Sequence, residues 1–146
     1  MELAYLWDTN TAIYYLQQDF SHIGGKIIDD IAENTQICIS VITEIELYSW
    51  KSGAQVDFDI VNLFVDFTLL FELEEEIKFK AADLRRQNRI KLPDAIIAAT
   101  AIVYDLTLIT NNTKDFTAIE NLRLLNPLDP QQWSEDSFNQ LLHLLP

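Results

Sequence analysis

One cysteine, two histidines, three glycines and four prolines are all that this 146-residue chain has of four residue types that define whole classes of protein. A lone Cys38, between Ile37 and Ile39, excludes an internal disulfide and reads as a small buried hydrophobe, which fits a reducing compartment. No glycine-rich phosphate loop exists. His22 and His143 stand far apart with no Cys or second His at ligand spacing, so neither a zinc centre nor a catalytic histidine is expected. No stretch approaches the ~18 apolar residues of a membrane span. The first residues, Met1 to Asp8, lack the basic and apolar regions of an export signal. A cytoplasmic protein with no membrane contact is the expectation.

Positive charge is also in short supply. Ten Lys and Arg face 23 Asp and Glu, for a net charge of -13, which argues against casual nucleic-acid binding because cations supply most non-specific affinity for phosphate. The cations are unevenly placed, however. Lys78, Lys80, Arg85, Arg86, Arg89 and Lys91 are six of the ten, and all lie shortly before Asp94. Such a strip beside an acidic site can guide a phosphate backbone. It equally suits a helix with Glu72, Glu74, Glu75 and Glu76 near its start and cations near its end, as the macrodipole favours. The two readings are compatible.

Hydrophobic residues make up 49% of the chain, enough for one packed domain spanning 1–146 rather than disorder. Leu3 to Trp7, Gln36 to Ser40, Leu69 to Leu73, Leu106 to Ile109 and Arg123 to Leu125 are short, largely apolar runs that predict five strands. Between them, helical spacing predicts helices over Thr11 to Gln17 with Asp8 as N-cap, and around Ile23, Ile27, Ile28 and Ile31. Another follows Ser40, with Ile42, Ile45 and Ser49 on one side and its end toward Lys51-Ser52-Gly53. Further helices are expected over Val56 to Leu70, over Glu74 to Arg89 with Ile77, Ala81, Ala82 and Leu84 inward, and over Ala95 to Val103 behind Pro93 at the first helical position. A short helix over Phe116 to Glu120 and a last one capped by Ser134, with Phe138, Leu141, Leu142 and Leu145 on a stripe, complete the set. Strands alternating with helices imply an α/β fold with a mostly parallel sheet. Trp7, Trp50 and Trp133 read as core or interface anchors rather than a base-stacking platform.

Parallel sheets bind ligands beyond the carboxyl ends of their strands, where strand order reverses. Asp8, Asp94 and Asp115 each fall at such an end or one helix away from it. Singly, each has an ordinary reading as a cap or first-turn acid. Asp94 tips the balance, because it heads a helix so apolar that its carboxylate would be partly desolvated unless something positive shares its site. Converging carboxylates repel, and such a cluster persists by raised pKa values or by holding a hard divalent cation.

Four segments together resemble the PIN-domain family, and within it the VapC-type toxin ribonucleases. They are Asp8-Thr9-Asn10 before an apolar helix, Ile39-Ser40-Val41-Ile42-Thr43-Glu44-Ile45-Glu46-Leu47, Leu92-Pro93-Asp94-Ala95-Ile96-Ile97, and Leu108-Ile109-Thr110-Asn111-Asn112-Thr113-Lys114-Asp115-Phe116. Their order and spacing cover nearly the whole chain. The resemblance implies a single PIN-like domain with a central parallel five-stranded sheet flanked by helices, Mg2+ or Mn2+ at an acidic centre, and hydrolysis of RNA. It also implies an antitoxin protein partner and a homodimer. Carried over residue by residue, it puts the metal-site and catalytic acids on Asp8, Glu46, Asp94 and Asp115, with Thr9, Asn10 and Asn112 as polar neighbours. Arg85, Arg86, Arg89 and Lys91 are the candidate RNA-binding residues. Glu44 competes with Glu46, and the two point about 200° apart on a helix, so only one reaches the site. Tyr48-Ser49-Trp50 departs from the small-residue turn common after that glutamate. Two readings stand beside this one: a PIN-like module that binds RNA or protein without cutting, and a phosphatase with Asp8 as nucleophile, whose usual second acid is replaced by Asn10.

Overall fold

The computed structural model describes residues 3–18, 22–51 and 58–128. Five strands and six α-helices alternate through them: β1 (Tyr5–Trp7), α1 (Thr9–Gln17), α2 (His22–Asn34), β2 (Cys38–Ser40), α3 (Val41–Ser49), α4 (Phe58–Phe67), β3 (Leu69–Phe71), α5 (Glu75–Gln87), α6 (Leu92–Val103), β4 (Thr107–Ile109) and β5 (Leu124–Leu125). All pairings are parallel, in the order β3-β2-β1-β4-β5. The chain builds outward from β1 through β2 to β3, then returns to the other side of β1 for β4 and β5. Strand order therefore reverses between β1 and β4.

The two-residue side-chain period of a strand divides the core in two. Leu6, Cys38 and Leu108, joined by the Leu6↔Cys38 and Leu6↔Leu108 register, face Ile77, Ala81 and Leu84 of α5 and the fully buried run of α6. Trp7, Ile39 and Ile109 point the other way, onto Ala12, Ile27, Ile28, Ile31, Leu47 and Phe64 from α1 to α4. Each fully buried Leu or Ile contributes roughly 1.5–3 kcal/mol over leaving it exposed, so these alternating rows fix which way every strand faces. Trp7 meets Tyr15 edge-on at 5.2 Å between ring centroids, a core anchor as expected. Burial pushes the Cys38 thiol up to about 11, which makes it inert.

Several local expectations need correction. Phe116 to Glu120 is not a helix, and Asp115 is not its cap: Asp115 ends a single 3-10 turn, Thr113–Asp115, and irregular turns follow. Only Phe116 and Ile119 are buried there, and Asn121 adopts a left-handed φ of 65° before the chain returns to the sheet, which leaves no room for helical turns. In α3 the buried residues are Thr43 and Leu47, four apart, so Ile45 lies on the opposite side and is 55% exposed. Ala82 faces solvent, because Ile77, Ala81 and Leu84 alone define the inward stripe of α5. Leu69 and Leu70 belong to β3 and not to the helix before it, and Pro93 takes the second position of α6, after Leu92. The side chains of His22 and Ile23, the 52–57 segment with Gly53, Trp133, His143 and the helix expected after Ser134 lie outside the described residues.

Candidate active site

Asp8 leaves β1 where strand order reverses, and its neighbour across the crevice is Thr110, one residue past β4. The Trp7↔Ile109 register aligns the strand ends, and Asp8 N donates to the Ile109 carbonyl at 3.0 Å. Asp8 is only 6% exposed. Its Oδ1 accepts from the Thr9 backbone N–H at 2.8 Å, which starts α1, and its Oδ2 accepts from the Thr110 hydroxyl at 2.8 Å. The same hydroxyl oxygen accepts from the Asn112 backbone N–H at 3.0 Å. A threonine hydroxyl has one proton, and with a donor already pointing at its oxygen that proton is committed to Asp8. Asn10 Nδ2 approaches both Asp8 Oδ2 and Thr110 Oγ1 at 3.4 Å.

The other acids arrive from separate elements. Ser40 accepts from Ile42 N at 3.1 Å and starts α3, whose Glu46 then lies beside α1: Thr9 Oγ1 donates to Glu46 Oε1 at 2.8 Å and sits 3.1 Å from Thr43 Oγ1. Lys91 precedes α6, and Asp94 in its first turn suits the positive end of the helix dipole. Asp115 closes the 3-10 turn, with its Oδ2 held by Asn112 Nδ2 at 2.6 Å.

The four carboxylates share one electrostatic environment. Burial pushes Asp8 up to about 6 from 3.8; its hydrogen bonds from Thr110 and Thr9 oppose the rise, while Asp94 and Glu46 add to it. Asp94 is also raised, first by burial and then by Asp115 and Glu46, with Lys91 drawing it down. Glu44 is directed elsewhere, and the group it acts on is the Tyr48 phenol. Among the described residues no three acids, histidines or cysteines are gathered closely enough to hold a metal ion as they stand. The arrangement is thus a shallow acidic centre: one buried carboxylate, one half-buried and two exposed.

The family model for the PIN domain matches residues 5–122, which take in every one of these acids. The chain belongs to the PIN-domain family. It is 27% identical over 132 residues to Ribonuclease VapC2 of Rickettsia felis, spanning 85% of this chain and 98% of that relative. A chain of the VapBC2 complex from Rickettsia felis, solved bound to a DNA fragment from their promoter, aligns with a TM-score of 0.68 and 26% identity, over 85% of this chain and 98% of that one. A chain of a toxin–antitoxin complex from Klebsiella pneumoniae aligns with a TM-score of 0.69 and 31% identity over the same shares.

Within this PIN domain, Thr110 and Thr43 are the polar residues that sequence reasoning did not single out. Both are fully buried, and both hold a side chain of the acidic centre or its neighbour Thr9. A signal for Thr110 did exist. The runs Leu6-Trp7 and Leu108-Ile109 are both buried strands, and pairing them in register sets Asp8 beside Thr110. The basic strip divides. Arg85 and Arg86 are exposed in the last turn of α5 opposite Glu75 and Glu76 in its first, and Arg86 pairs with Asp83, as the dipole reading expects. Arg89 is exposed in the α5–α6 connection, and Lys91 heads α6.

Proposed function

We propose that this chain is a divalent-metal-dependent endoribonuclease, the toxin of a toxin–antitoxin pair, with Asp8 and Asp94 as direct ligands of Mg2+ or Mn2+. Glu46 and Asp115 complete the surroundings of the ion, directly or through water. The observation that carries the reading is the burial of Asp8 at the strand-order reversal within the field of Asp94 and Glu46. Ionising a carboxylate there is costly unless a cation shares the site. The donor set is all oxygen, which suits a hard ion rather than zinc. Mg2+ commonly takes one or two carboxylates and retains several waters, and that mode fits acids that are electrostatic neighbours without enclosing a cage. Bound there, such an ion would supply a water of lowered pKa and positive charge against a phosphodiester.

The residues of the chain supply the rest. Thr110 and the Thr9 N–H fix the two oxygens of Asp8, Thr9 Oγ1 orients Glu46, and Asn112 orients Asp115. Arg85, Arg86, Arg89 and Lys91 draw in the RNA backbone locally, against the overall negative charge. The likeness to Ribonuclease VapC2 supports RNA as substrate, and the likeness to toxin–antitoxin complexes supports an antitoxin partner. Exposed Phe58, Leu63 and Phe67 on α4 support a surface for protein contact, in a homodimer or with that partner. No described helix is long and apolar enough to cross a membrane, which accords with a cytoplasmic site of action.

The test is incubation of the purified protein with total RNA and Mg2+ or Mn2+, with and without chelator. Cleavage that the chelator abolishes supports the reading. Binding of RNA without cleavage under every metal condition would instead favour the non-catalytic module. Light scattering that gives a monomer at micromolar concentration removes the homodimer, and absence of a small co-transcribed partner gene weakens the toxin role while leaving the nuclease role.

A further inference from the structure

A second concavity, of about 500 Å³, opens between α5 and the turn at 118–121. One wall is a single helical stripe: Lys80, Leu84, Gln87 and Asn88 follow at intervals of four, three and one residues. The other wall carries Glu120 and Asn121. The volume lies in the range of small-molecule sites. Its chemistry is polar and unspent: among the described residues the side chains of Lys80, Gln87, Glu120 and Asn121 make no hydrogen bond or ion pair, and Lys80 and Glu120 line one cleft without pairing to each other.

Both walls are joined to acids of the centre by short stretches of chain. The helical wall continues through the 88–91 connection to Asp94, and the turn descends from Asp115 past the fully buried Phe116. Two residues, Phe116 and Thr117, separate Asp115 from Ala118 at the near edge of the turn, three Cα steps or at most about 11 Å. A single RNA strand crossing the acids can therefore set a neighbouring nucleotide in the cleft. Glu120 makes the cleft a poor phosphate site and a good acceptor for base N–H groups.

We propose that this cleft is a nucleobase subsite that reads guanine beside the cleaved phosphodiester, an inference that rests on the ribonuclease reading above. Guanine offers two adjacent donors, N1–H and N2–H, next to the O6 acceptor on one edge. A carboxylate accepts both donors, and an ammonium or amide N–H from Lys80 or Asn121 donates to O6. Uracil, cytosine and adenine each offer a single donor group on that edge, so none of them engages both oxygens of the carboxylate at once. Gln87 supplies a further adaptable amide on the helical wall.

The experiment uses Asp8→Asn protein, to prevent cleavage, titrated by fluorescence anisotropy with oligouridylates of one length that carry a single central G, A or C or none. The G-containing strand should bind at least about tenfold tighter than the others, the discrimination expected of a bidentate base contact. Glu120→Gln, which replaces one acceptor by a donor, should reduce that preference to about twofold. Asn121→Ala should reduce it partly, and Glu72→Gln should leave it unchanged. Equal affinity for all four strands, or a G preference that survives Glu120→Gln, overturns the subsite. If the wild-type protein still cleaves RNA in either of those cases, the ribonuclease reading stands without it. If it neither binds nor cleaves RNA, both fall.

Discussion

The Thr110 hydroxyl donates to Asp8 Oδ2 at 2.8 Å, a hydrogen bond that spans 102 residues of sequence and ties the end of β4 to the end of β1. Because the same oxygen accepts from Asn112 N, Thr110 holds a carboxylate with one hand and a backbone loop with the other. Thr110→Val should leave the Asn112 N–H without its acceptor and cost about 1–3 kcal/mol, whereas Thr110→Ser should keep both bonds. The bond favours the charged form of Asp8, so the loss should be larger at pH 7 than at pH 4. Urea midpoints at the two pH values measure this, and equal stability of Val and Ser variants would remove Thr110 from the account.

The raised pKa of Asp8 makes a signed prediction for stability without metal. Its folded value, about 6, lies above the unfolded 3.8, so the native state binds the extra proton between them. Stability is fully present below the unfolded value and is lost as pH rises through about 6. Asp94 is shifted the same way. With chelator present, the wild-type protein should lose on the order of 2 kcal/mol relative to Asp8→Asn between pH 4 and pH 7. Millimolar Mn2+ should restore most of it. Parallel pH profiles for the two proteins would show that Asp8 does not carry the burden of the buried charge.

Much of this arrangement is legible in the chain. Leu6-Trp7 and Leu108-Ile109 announce buried strands, and the apolar run after Pro93 can only be a buried helix. Alternating elements imply a parallel sheet, while the strand order that sets Asp8 beside the end of β4 emerges only in the folded chain. What could not be read has local causes. The apolar run from α4 passes into Leu69 and Leu70 with only Thr68 between, where helix and strand look alike, and the break is made by Thr68, whose N–H and hydroxyl both bond the Val65 carbonyl. Phe116 and Ile119 have helical spacing but serve a tight turn. Thr110 went unnoticed because a neutral hydroxyl has no compositional signal, and its role appears only once two strands 102 residues apart are set side by side.

Glu46 and Glu44 are separated by their surroundings: Thr9 holds Glu46 at 2.8 Å, while Glu44 acts on Tyr48. In a Mg2+-dependent cleavage assay, Glu46→Gln should lower kcat/KM by at least about tenfold more than Glu44→Gln, the consequence of losing a charge within the field of Asp8 and Asp94 against one turned toward Tyr48. The reverse ranking would move the site to the other side of α3.

Arg85, Arg86 and Arg89 are exposed and lie on the path to Asp94. Replacing all three with Gln should weaken RNA binding by about tenfold or more at low salt and reduce the slope of log K against log salt by about two to three. Mn2+ affinity should hardly change. RNA affinity equal to wild type would assign these arginines to the helix dipole alone.

The most direct measurement is RNA cleavage by Asp8→Asn and Asp94→Asn, each compared with wild type in saturating Mn2+. Both substitutions preserve shape while removing a negative charge from a proposed ligand, so circular dichroism should be unchanged and cleavage should fall by about a hundredfold or more. Wild-type rates in either folded variant would contradict the assignment of that acid, and wild-type rates in both would contradict a metal centre between β1 and α6.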